Sequence, residues 1–88
     1  MVIEQRIPGC LHTILEPAGA LLRLTVTSRR GAGRWGATFV YSGTEVTWPP
    51  VAAAIWKIAN DTHFSRSTRR RASEVAKSID NLLVIRGE

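Results

Sequence analysis

STRRRASEVAKSIDNLLVIRG, running from Ser67 to Gly87, is the stretch whose reading decides the fold. Ala72, Val75, Ala76, Ile79, Leu82 and Leu83 recur at i, i+3, i+4, i+7, i+10 and i+11, which lays one apolar stripe along an α-helix. Arg70, Glu74, Lys77 and Asn81 fall on the opposite face. The Arg70–Glu74 and Glu74–Lys77 spacings add only roughly a few tenths of a kcal/mol each. Such a helix holds only against another apolar surface, and the rest of the chain has to supply it.

Upstream, the pattern changes to a period of two. Val2 to Ile7 and Cys10 to Leu15 are short β-compatible runs separated by Pro8-Gly9, a turn dipeptide. Glu16-Pro17-Ala18-Gly19 reads as a second turn, and Ala20 to Ser28 as a strand with Leu22, Leu24 and Val26 on one face. Arg34 to Tyr41 is its hairpin partner, with Trp35, Ala37, Phe39 and Tyr41 alternating against Arg34, Thr38 and Val40. An even connection, Arg29 to Ala32, keeps the apolar sets together, with Val26 facing Trp35, Leu24 facing Ala37 and Leu22 facing Phe39. A two-residue turn at Ser42-Gly43 then sets Val46 opposite Phe39 and Trp48 opposite Ala37.

A helix follows from about Trp48 to Asn60, with Thr47 as its cap and Pro49-Pro50 in the first turn, where prolines are tolerated. Val51, Ala52, Ile55, Ile58 and Ala59 form its stripe. Ser65 or Ser67 caps the last helix and Gly87 stops it. The expectation is an α+β fold: one domain over residues 1–88, an antiparallel β-meander of three to five strands followed by two α-helices packed on one face of the sheet.

A chain of 88 residues, 44% hydrophobic, supports one modest core without a deep substrate cleft. Ten Arg and two Lys against seven acids give a net charge of +5, a balance that favours acidic partners such as nucleic acid or an anionic protein surface. The single cysteine, Cys10, excludes an intramolecular disulfide. No signal-peptide pattern and no transmembrane-length run is visible, so the expected setting is cytoplasmic, with no membrane partner.

Motifs for chemistry are thin. Gly31-Ala32-Gly33-Arg34-Trp35-Gly36 matches G-x-G-x-x-G, but the dinucleotide version requires the glycines to open a helix, and WGATFVY is β-like. Cys10, His12, Asp61 and His63 are the only residues resembling a metal or nucleophile set, and the two-residue knuckle spacings of structural zinc sites are missing. A Cys10–His63 pair has no third orienting residue. The expectation is a non-enzyme with no cofactor and no metal.

Arginine is where a local rule is broken. Arg66, Arg69, Arg70 and Arg71 crowd the start of the last helix, with no acid between Thr62 and Ser73. A helix N-terminus already carries positive partial charge, so these residues cost stability there unless an anion docks among them. A second acid-free span, Pro17 to Thr44, holds Arg23, Arg29, Arg30 and Arg34. Trp56 and Phe64 are the aromatics expected to be partly exposed, and Arg and Trp are common anchors of protein interfaces. The partner-binding set is therefore Arg29, Arg30, Arg34, Arg66, Arg69, Arg70, Arg71, Trp56 and Phe64.

The expected function is that of a small interaction protein, a regulator or inhibitor, docking through arginine-rich surfaces on a protein complex with an acidic surface that handles nucleic acid. Proteins of mobile elements that obstruct a host complex, such as anti-CRISPR proteins, are similar in size and type; no residue motif carries that comparison. The alternative is nucleic-acid binding without sequence readout through the same arginines. Pairing of edge strands into a homodimer is neither required nor excluded.

Overall fold

The computed structural model describes residues 2–29, 34–43 and 46–87. Four strands, β1 (Ile3–Ile7), β2 (Leu11–Ala18), β3 (Leu21–Ser28) and β4 (Trp35–Ser42), are followed by two helices, α1 (Trp48–Ala59) and α2 (Arg66–Arg86). The strands form one antiparallel sheet in the order β1-β2-β3-β4. This is the expected meander followed by two helices.

Each hairpin has a local cause. Between Ile7 and Leu11 the chain turns through Pro8, Gly9 (φ 89°) and Cys10 (φ 60°). Pro8 followed by a positive-φ glycine suits a type II turn, and Cys10 sits in the left-handed region that non-glycine residues rarely adopt. Space at Gly9 is tight as well, because a Cβ there would lie 3.2 Å from Ser78 Oγ on α2. The next turn is Gly19-Ala20, with Gly19 at φ 66°.

That turn lies later than the sequence suggests. Glu16, Pro17 and Ala18 belong to β2 and pair with Arg23, Leu22 and Leu21. β1 reaches only to Ile3, opposite Leu15, so beyond that point β2 has one neighbour. A proline there breaks no ladder bond on the free side.

Across β3 and β4, Leu22 faces Tyr41, Leu24 faces Phe39 and Val26 faces Ala37. The expected pairing is corrected by two residues, the connection running from 29 to 34 instead of 29 to 32. The faces survive the correction because side chains alternate with a period of two. The expected third meander strand is also corrected: Val46 lies outside any strand and Trp48 opens α1. Two consecutive prolines cannot donate to a ladder, and their fixed φ suits a first helical turn. Ser42 closes β4 rather than opening the expected Ser42-Gly43 turn, and residues 44 and 45 of the expected third strand lie outside the described residues.

Thr47 holds the N-cap position of α1 without a side-chain cap bond. Ser65 caps α2 by accepting from the Thr68 N–H at 3.2 Å, and Gly87 stops it in the left-handed region at φ 74°. The core lies between one sheet face and both helices. Leu11, Leu15, Leu24 and Val26 of the sheet are fully buried, as are Val51 and Ile55 of α1 and Ala72, Val75, Ala76 and Ile79 of α2. Two indoles tie α1 to its neighbours: Trp48 Nε1–H donates to Gln5 Oε1 of the sheet at 3.1 Å, and Trp56 Nε1–H to Asp80 Oδ2 of α2 at 2.8 Å.

Leu24 is fully buried, whereas Leu21, three residues away, is 39% exposed on the open face. Urea unfolding should show Leu24→Ala destabilised by about 3 kcal/mol with its slope unchanged, and Leu21→Ala by less than about 1 kcal/mol.

Candidate functional site

The strand pairings put Ile7, Leu11, Ser28 and Trp35 in one row at one end of the sheet. Both the Pro8–Cys10 turn and the connection between β3 and β4 leave from that end. The Arg29 N–H donates to the Cys10 carbonyl at 3.3 Å, which ties the two together. The stretch of α2 from Arg71 to Ser78 passes over the same end. Ser78 Oγ abuts Gly9, and closer to the helix start the Arg71 guanidinium lies over the Trp35 ring, 4.7 Å from its centroid.

The two arginine-rich stretches therefore meet. Trp35, Ser67, Arg70, Arg71 and Glu74 line a shallow cavity of about 220 Å³, and Arg34 precedes Trp35 directly. Arg29, Arg34, Arg66 and Arg70 are exposed and Arg71 is half-buried. Among the described residues none of these five pairs with a carboxylate. Among the described residues Glu74 is the one acid bordering the cavity. Arg30 lies outside the described residues.

Other members of the expected set are placed differently. Arg69 Nε–H donates to the Phe64 carbonyl at 3.1 Å, so its guanidinium braces the linker between the helices. Phe64 is 42% exposed on that linker, next to the helix start. Trp56 is half-buried, and its N–H is engaged by Asp80 in the seam between the helices. Ten residues separate Asp80 from Arg70, about 15 Å of helix, so the structure does not bring Trp56 to the arginines. Arg23 is paired with Glu16 on the open sheet face, where His12 also meets Glu4 at 2.8 Å. Arg86 lies beside Ile3 and Trp48, at the far end of β1.

Trp35 is the residue that sequence reasoning left out of the site. Alternation assigned it to the core, and its ring does point to the covered face. Its place at the end of an edge strand leaves it half-buried, with Arg71 covering it. A cation–π contact of this kind contributes about 0.5–1 kcal/mol when exposed and orients the guanidinium.

The linker has its own electrostatics. The Asp61 carboxyl accepts from the His63 backbone N–H at 2.9 Å and contacts the His63 ring at 2.9 Å. The backbone bond first, then the ring bond and the positive charges of His63 and Arg69, hold Asp61 below its ordinary value of 3.8. Tyr41 moves the other way: burial pushes its phenol up to about 12. Among the described residues no three of His, Cys, Asp and Glu come together as a metal site. The G-x-G-x-x-G run leads into a strand, and its first three residues lie outside the described ones.

No helix among the described residues is long and apolar enough to cross a membrane. Compared with protein-family models, curated proteins and solved structures, the chain matches none.

Two outcomes test this geometry. Arg71 side-chain protons should resonate upfield of the other arginines from the Trp35 ring current, and Trp35→Leu should return them to the common position. Asp61 should titrate below 3.8 by carboxyl NMR. A lowered carboxyl pKa supplies stabilisation that is present above the unfolded value and lost as pH falls through the folded one. His63→Ala should move the midpoint only part of the way back, because the larger backbone bond remains.

Proposed function

We propose that this chain is a small non-catalytic docking protein whose arginine pole, Arg29, Arg34, Arg66, Arg70 and Arg71 around Trp35, engages an anionic surface of a protein complex that handles nucleic acid. The observation carrying this reading is the meeting of two acid-free stretches, distant in sequence, at one indole. Arg71 lies over Trp35, and both line a cavity with Arg70. Guanidinium forks with no carboxylate partner among the described residues, gathered beside a helix start, favour carboxylates and phosphates alike. A rigid aromatic stacked under an arginine is a common composition for the centre of a protein interface.

The sheet face argues for a protein target over single-stranded nucleic acid. Binders that read bases on a sheet present aromatics on the open face for stacking. Here Trp35, Phe39 and Tyr41 all belong to the helix-covered face. The open face of β3 and β4 carries Arg23, Thr25, Thr27, Thr38 and Val40.

Arg34 and Arg70 are exposed and unpaired among the described residues, so reversing them should leave the fold intact. Affinity capture from lysate should retain one stoichiometric complex after nuclease treatment, and Arg34→Glu with Arg70→Glu should weaken that complex by at least about tenfold. Loss of every partner after nuclease, with affinity falling log-linearly in salt, would make the target nucleic acid itself. Capture unaffected by the double reversal would remove the arginine pole from the function.

A further inference from the structure

The two edges of the sheet are finished differently. β1 is five residues long, carries Glu4 and Arg6, and packs against α2. β4 is eight residues long, WGATFVYS, with no charge and no proline. Shortness, charge, proline and a covering helix are the usual ways an edge is protected from pairing. β1 uses three of them, whereas β4 uses neither shortness, charge nor proline. Among the described residues the backbone of β4 bonds only to β3.

The free edge is complementary to itself. On the open face Val40 stands 50% exposed, while Gly36 leaves a gap at the same distance on the other side of Thr38. The fold itself does not require that glycine. Its φ is not positive, and a Cβ there would meet only the Val26 carbonyl oxygen at 3.7 Å, an ordinary contact. Glycine in a strand often marks the close approach of a second chain.

Antiparallel partners oppose residues of the same face, so the axes near the middle of β4 pass through Thr38 or Phe39. About Thr38, Val40 of each copy lies over Gly36 of the other, Ala37 faces Phe39, and Trp35 faces Tyr41. About Phe39, Val40 meets Thr38 and Gly36 meets only the small Ser42. The first arrangement sets Val40 against Gly36 on the open face and Phe39 against Ala37 on the covered face, and β4 itself brings no charge to the seam.

We infer that the β4 edge is a self-association surface, on which two copies of this chain pair antiparallel about Thr38, each seating Val40 over Gly36 of the other. The sheet becomes continuous across eight strands. The two Trp35 residues, and with them the two arginine poles, lie about 20 Å apart along the seam. The inference is independent of what the arginines bind.

Sedimentation over a concentration series tests it. The mass should rise with concentration from 9.7 kDa towards twice that value. Gly36→Val should raise the dissociation constant by about tenfold, although valine favours the strand itself. Adding Val40→Ala to Gly36→Val moves the gap to the other side of the axis and should restore most of the association. A wild-type chain that stays at 9.7 kDa throughout, or a Gly36→Val variant that associates normally, overturns the inference. Should Gly36→Val fail to give a folded amide spectrum, Thr38→Lys, at an exposed position, sets two lysines against each other on the axis. Its association must then be lost, and retained association is equally fatal.

Discussion

The fold depends on the burial of one helical stripe. Ala72, Val75, Ala76 and Ile79 have no exposed surface, and each buried Val or Ile contributes about 1.5–3 kcal/mol relative to exposure. Ala72 and Ala76 let α2 approach closely, and Gly9 does the same from the sheet side at Ser78. Because the stripe fixes which way α2 faces, it also fixes where the first turns of that helix lie. They lie over the Trp35 end of the sheet, and the arginines follow.

What could be read from the residues was whatever has a strong period or a specific stop signal. The α2 stripe, its Gly87 stop and the proline-led start of α1 stand where the sequence places them, and of the two serines it offers as the α2 cap the structure uses Ser65. The buried face of β3 and β4 is also legible, because alternation assigns faces. It does not assign register: a two-residue shift moves Leu24 from Ala37 to Phe39 without changing a single face. Pro17 misleads for a related reason. Proline signals a turn locally, and only the short reach of β1 shows that a strand can carry it there.

The site was legible in half. Charge placed against a helix dipole marked Arg66, Arg70 and Arg71, and the acid-free hairpin marked Arg29 and Arg34. That the two stretches are one surface is a property of the packing. Arg71 over Trp35 joins residues that no local pattern relates. The same packing explains why the arginines are not equivalent. Arg69 braces Phe64 and Arg23 pairs with Glu16, while Arg34 and Arg70 have no ion-pair partner among the described residues.

On the proposed function one pole, and not the general basicity of the chain, receives the anionic partner. Titration of the labelled protein with a poly-aspartate peptide, followed by amide, guanidinium and indole NMR signals, separates the two. Arg34, the Trp35 indole and Arg70 should shift together on a single isotherm, with Arg6, Arg23 and Arg86 unmoved. Separate isotherms for the two stretches, or an equal response from all ten arginines, would contradict it.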